Sequence, residues 1–152
     1  MLKRYALLTA AMLVAGIALP SLAADTGGPT AEQIIAARQA GYDMSAVTFG
    51  GMMKAAKDGA TAKDEGFQAH ALAKWAKVVP TMFPANTASG ATKARPEVWS
   101  NRDGFNKAAA NYAAETDKLA QLSEANDTPG FTAQLGEVKK ACDACHQDFR
   151  QR

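Results

Sequence analysis

Phe131-Thr-Ala-Gln-Leu135-Gly-Glu-Val138-Lys-Lys-Ala-Cys142-Asp-Ala-Cys145-His146-Gln-Asp-Phe149-Arg150 lies two residues short of the end of a 152-residue sequence. Its apolar positions, Phe131, Leu135, Val138, Cys142, Cys145 and Phe149, recur in alternating steps of four and three. That spacing lines one face of an α-helix and is the seam along which bundled helices meet. No segment elsewhere in the sequence shows the two-residue alternation of a half-buried strand, so the seam predicts an all-α fold.

The same seam carries chemistry. Cys142 and Cys145 lie three residues apart and His146 follows at once, so all three project from neighbouring positions of one helical face. Cys-x-x-Cys-His is the pattern that attaches a c-type haem: two thiols form thioethers to the porphyrin vinyls and the imidazole takes the iron. These are the only two cysteines, and His146 is one of two histidines. A thioredoxin-type dithiol expects a βαβ context that this sequence lacks. A structural zinc site needs four ligands, and beyond these three only the distant His70 remains. A disulfide between cysteines three apart on a helix has poor geometry.

Outward from this stretch the chain reads as three more helices. Asn126-Asp-Thr-Pro-Gly130 is a turn, with Pro129 suited to a first helical position. Before it, Asn101 or Asp103 caps a helix carrying Phe105, Ala109, Tyr112, Thr116, Leu119 and Leu122, and Pro96-Glu-Val-Trp99 reads as a helical turn. Residues 80 to 95 lack periodicity and form a long connection, a kind of segment that is often functional. Thr61 is expected to cap a helix with Phe67, Ala71, Trp75 and Val78 as its apolar stripe, stopped by Pro80. Thr30-Ala-Glu-Gln33 is a capping box opening a helix to about Ala56. On that first helix Ile35, Arg38, Tyr42, Ser45, Phe49 and Met52 share a face. The sum is an antiparallel four-helix bundle with a covalently attached haem c.

The first residues read as a secretory signal: Lys3 and Arg4, an apolar run from Tyr5 to Leu19, and the small-x-small site Ser21-Leu22-Ala23. Residues 1–23 are expected to be removed on export to the periplasm, leaving the domain 24–152 with no membrane attachment. Without Lys3 and Arg4 the 17 basic residues fall to 15, against 15 acidic ones. With no basic run and no interleaving of basic and aromatic residues, a nucleic-acid partner is excluded.

Four segments resemble the cytochrome c′ family of class II cytochromes c: Ala37-Arg-Gln-Ala-Gly-Tyr42, Met82-Phe-Pro-Ala, Ala94-Arg-Pro-Glu-Val-Trp99, and Leu135 through Arg150. The resemblance implies one haem c on Cys142 and Cys145, with His146 as the iron ligand and Tyr42 facing the other side of the iron. Low-spin relatives place a methionine where this sequence has Tyr42, so a five-coordinate, high-spin iron is implied. Arg38 and Gln39 would hydrogen-bond a haem propionate, Thr92 and Lys93 would lie at the haem edge, and Arg150 beside the proximal histidine. Met44, Met52, Met53 and Met82 are expected in core packing rather than on the iron, His70 at a boundary, and Trp75 and Trp99 in the core or at the haem edge. The implied activity is electron transfer with an unidentified redox partner, binding of NO or CO at the open position, or both. A homodimer through the first two helices is also implied. The alternatives are a six-coordinate, low-spin electron carrier or a weak haem peroxidase. The latter needs a distal acid–base group, and no second histidine is placed for one, so no enzyme activity is expected.

Overall fold

Thr30 caps the first helix of a computed structural model that describes residues 27–152; the signal-peptide reading of residues 1–23 lies outside them. The Thr30 hydroxyl accepts from the Gln33 amide at 3.2 Å, and the Gln33 side chain accepts from the Thr30 amide at 2.8 Å. This reciprocal cap satisfies two N–H groups that a helix start leaves free. Helix α1 runs Ala31–Lys57 and stops at Asp58, where Gly59 takes φ +90°, a conformation glycine adopts without steric cost. Four helices follow: α2 Gly66–Val78, the single turn α3 Glu97–Ser100, α4 Arg102–Glu124 and α5 Thr128–Phe149. The four long helices form the expected bundle. Helix α4 packs along both α2 and α5, whereas α1 meets α2 and touches α5 only slightly.

Local chemistry sets the helix starts. The Asn101 side chain accepts from the Gly104 amide at 3.2 Å, and that of Asp127 accepts from the Gly130 amide at 3.0 Å. Thr61 behaves differently from the expectation. Its amide and hydroxyl both donate to the Asp64 carboxylate, at 2.9 and 2.8 Å, so it closes a turn before α2 instead of capping that helix. These bonds also hold the Asp64 carboxyl below its usual range, the hydroxyl contributing most.

The apolar stripe expected on α2 is corrected as well. Phe67 is 85% exposed, and Ala71 and Val78 are also exposed. The buried face is Ala69, Leu72, Ala73 and Ala76, with Val79 just beyond. Small side chains let α2 lie close against α4, and large residues elsewhere on the helix have no room in that contact. Met44, expected in the core, is 67% exposed.

The core has two centres. One gathers Met52, Leu72, Leu119, Phe131, Leu135 and Val138, with Met53 and Cys142 against it. The other holds Val79, Phe83, Val98, Phe105, Ala109 and Phe149, with Tyr42, Met82 and Cys145 against it. Trp75 packs on both. The connection between α2 and α3 lies over the second centre and contains two short 3₁₀ turns, Val79–Met82 and Ala85–Thr87.

Candidate functional site

Cys142 and Cys145 project from the inner side of α5 toward the two core centres, each half-buried and unpaired. Burial, more than the neighbouring charges, raises both thiol pKa values, that of Cys145 to about 11. At neutral pH both remain protonated, which is unlike the low-pKa thiolate of a redox-active dithiol. His146, one residue on, is exposed at the surface of α5. Partial desolvation and then the nearby Arg150 guanidinium lower its pKa, against a smaller opposing effect of Asp143, and so favour the neutral imidazole that a metal requires. Among the described residues no group of three or more His, Cys, Asp or Glu side chains is placed to hold a metal ion.

Opposite the thiols stands the inner face of α1. The Tyr42 ring meets Trp75 edge-on at 5.4 Å and lies 6.4 Å from Phe83. Burial, with Cys145 adding to it and Arg38 opposing it, raises the Tyr42 pKa, so its phenol is neutral at ordinary pH. One turn earlier, Arg38 is only 2% exposed. Its guanidinium donates to the hydroxyls of Thr87 at 2.7 Å and Thr92 at 2.6 Å, and to the carbonyls of Met82 at 3.2 Å and Thr87 at 3.3 Å. It also lies over the Phe83 ring at 4.5 Å. Every one of these acceptors is neutral, although a buried cation ordinarily demands an anion. Gln39 donates to the Ala91 carbonyl at 2.7 Å. Arg38, Gln39 and Thr92 thus converge on the long connection.

Lys93 does not join that group. With Arg150 it lines a cleft beside His146. The two are held there by an antiparallel bridge between Ala94 and Arg150, with Gln151 donating to the Lys93 carbonyl at 2.8 Å and Arg95 to that of Phe149 at 3.0 Å. Thr87, in a segment without periodicity, escaped the sequence reading. Phe83 and Gly41 lie in two of the segments that carry the family resemblance but had no role assigned to them; Gly41 matters through its close approach to Trp75.

A haem fits these residues. The donor set pairs two half-buried thiols with an adjacent neutral imidazole. The Trp75 Nε1–H, between the two core centres, is buried with no acceptor, and a buried donor of that kind is uncommon unless something else supplies the partner. Helix α1 touches α5 only slightly, so it does not close over the thiol face of that helix.

Residues 33–150 match the model of the family described as Cytochrome C′. The chain belongs to the cytochrome c′ family. That family carries haem c, and it is itself a reference case of the up-and-down four-helix bundle. Among curated relatives, cytochrome c′ of Rubrivivax gelatinosus is 38% identical over 77 residues, half of this chain and 60% of that one. Cytochrome c-556 of Agrobacterium tumefaciens is 37% identical over 75 residues, 49% of this chain and 60% of the relative. The chain thus spans about 60% of the length of these two relatives. The solved structure of the Rubrivivax gelatinosus protein covers 82% of this chain and all of its own, at TM-score 0.76 and 30% identity. A ferrous variant of Alcaligenes xylosoxidans cytochrome c′ with bound NO covers 83% of this chain and 99% of its own, at TM-score 0.75 and 25% identity.

Proposed function

We propose that this member of the cytochrome c′ family is a periplasmic haem protein that exchanges electrons, binds NO or CO, or does both, and that it is not an enzyme. The observation that carries this reading is the placement of the Cys142 and Cys145 thiols, unpaired and on one face, against aromatic core with the His146 imidazole next to them. When bound, haem c would supply a one-electron Fe(III)/Fe(II) couple and an iron able to take a small ligand. Cys142 and Cys145 would anchor it and His146 would ligate the iron from one side. Tyr42 shields the other: a neutral phenol is a poor ligand, and its contacts with Trp75 and Phe83 narrow the approach to small diatomics. Arg38 presents a desolvated cation, with Gln39 and Thr92 beside it, to the propionates. The NO complex of the Alcaligenes xylosoxidans relative supports the gas-binding part of the reading. A high-spin ferrous spectrum that changes fully on adding NO is expected, and Tyr42→Ala should speed ligand association. A colourless exported protein, or one whose mass is that of the polypeptide alone, would sink the reading.

A six-coordinate, low-spin carrier is the second reading, and Met82 favours it, since it packs with Tyr42 and Cys145 on the same core centre. A ferrous spectrum indifferent to CO, lost in Met82→Leu, would establish that reading instead.

The molecule also carries a face suited to pairing with a second copy. Ala37, Ala40, Met44, Val47 and Gly51 are all exposed, and their alternating steps of three and four make a second seam on α1, on the side away from the core. Phe67 on α2 adds exposed apolar surface. A homodimer across the α1 seam buries these residues. Val47→Glu should shift sedimentation to the monomer; an unchanged oligomeric state would exclude this face.

A further inference from the structure

We propose that Arg102, at the first position of α4, is a positioning residue for the shielded side of the iron: it holds Phe83 against Tyr42 and so sets how fast a small ligand displaces the phenol ring. This deepens the gas-binding reading above and rests on it.

Tyr42 can swing aside only where a neighbouring ring yields, and its two ring neighbours are held differently. Trp75 belongs to α2 and meets Tyr42 edge-on at 5.4 Å, and its benzo edge is pressed against Gly41, so it cannot back away. Phe83, 6.4 Å from Tyr42, belongs to no α-helix; it closes the 3₁₀ turn Val79–Met82. Pro80 and Pro84 offer no N–H on either side of it. Side chains that donate to the carbonyls of this stretch therefore hold it in place. Arg102 donates to the Pro80 carbonyl at 2.7 Å and to that of Phe83 itself at 3.1 Å. These are charge-assisted bonds from a rigid planar fork, so they set direction as well as distance. The same guanidinium lies 5.2 Å over the Phe105 ring, and Phe105 meets the Phe83 ring edge-on at 5.0 Å. The start of α4 thus grips Phe83 twice, by its backbone through Arg102 and by its ring through Phe105. That start is itself anchored, because the Asn101 side chain caps it. Arg38 also stacks on Phe83, but the haem reading gives it a propionate as well. Substituting Arg102 therefore isolates the hold on Phe83.

Stopped-flow mixing of the haem-loaded ferrous protein with CO tests the proposal, with hydrogen exchange as a readout independent of ligand binding. Arg102→Met keeps the stem over Phe105 and removes both hydrogen bonds. It should quicken CO association by about tenfold, the factor expected when the closed arrangement loses the support of one charge-assisted bond. Amides 81–83 should exchange faster, and those of α1 should not. In the already fast Tyr42→Ala background, Arg102→Met should add nothing, because both changes act through one contact. Asp127→Ala, which weakens α5 at its far end, should leave the rate unchanged. Rates that multiply in the double variant, or an equal quickening by Asp127→Ala, would overturn the proposal, since general loosening would then account for them. Unchanged exchange at 81–83 in Arg102→Met would do the same. Should Arg102→Met not fold, Arg102→Lys carries the test: an ammonium lacks the planar fork that holds both carbonyls, and a parent rate from it would also overturn the proposal. A ferrous protein indifferent to CO, or a Tyr42→Ala variant that associates no faster, overturns the shielding reading together with this inference. A fast Tyr42→Ala beside an Arg102→Met at the parent rate overturns this inference alone.

Discussion

The indole of Trp75 stands edge-on to the phenol ring of Tyr42, with centroids 5.4 Å apart and planes at 89°. Its benzo edge occupies the space where a side chain on Gly41 would begin. A Cβ at position 41 would lie 2.3 Å from Cη2 of Trp75. Neighbouring residues of α1 thus hold one ring of α2 from two directions, which sets the separation of these helices beside the thiols.

Gly41→Ala follows from this contact. Alanine gains about 1 kcal/mol over glycine in a helix interior, but overpacking of this kind costs about 1–3 kcal/mol, and here the ring has little freedom to retreat. A net loss is expected in urea denaturation, relieved in part by Trp75→Leu. A stabilised single variant would show that the indole moves freely.

Arg38 organises the long connection. Arg38→Ala removes four hydrogen bonds and the contact with Phe83. A loss of about 2–4 kcal/mol is expected, given the usual cost of stranding buried acceptors. Amide exchange at residues 85–92 should accelerate ahead of the helices. Arg38→Lys should rescue little, because an ammonium cannot reproduce the planar fork that reaches two hydroxyls and two carbonyls.

Alkaline pH should test the buried phenols. Burial is the main cause that raises the pKa values of Tyr42 and Tyr112. A raised folded-state value means that the full stability is present below the ordinary tyrosine value near 10. It is lost as pH climbs beyond that, because the unfolded chain releases its phenolic protons more readily. Thermal midpoints should therefore fall above about pH 10, and the fall should be shallower in Tyr112→Phe. Identical alkaline profiles would remove the phenol from the account.

Asp127→Ala removes the side-chain cap of α5 and should cost about 1 kcal/mol in denaturation. Asp127 lies at the opposite end of that helix from His146, so the haem spectrum should stay the same. A spectral change would mean that the register of α5 depends on its cap.

The helices themselves were legible from local pattern. The reciprocal cap of Thr30 and Gln33, the cap expected at Asn101 or Asp103 and found at Asn101, the turn before α5 and the α5 seam each depend on residues within a turn or two of one another, where covalent geometry fixes the spacing. The α2 face was not legible. Its large residues, Phe67 and Val78, mark a stripe by periodicity, but alanines face α4 because the closeness of two helices is settled by both surfaces together.

The sequence by itself determined the class of the molecule: an all-α bundle with two thiols and an imidazole on one face of its last helix. Those features depend on spacings of three and four residues, which the helix converts into neighbours. Only the tertiary structure decided what surrounds them. Arg38 meets Thr92 across 54 positions, Gly41 admits the Trp75 ring, and Lys93 comes beside His146 through a bridge to the chain end. Such contacts depend on how whole helices and a non-periodic connection pack, and no local pattern encodes that.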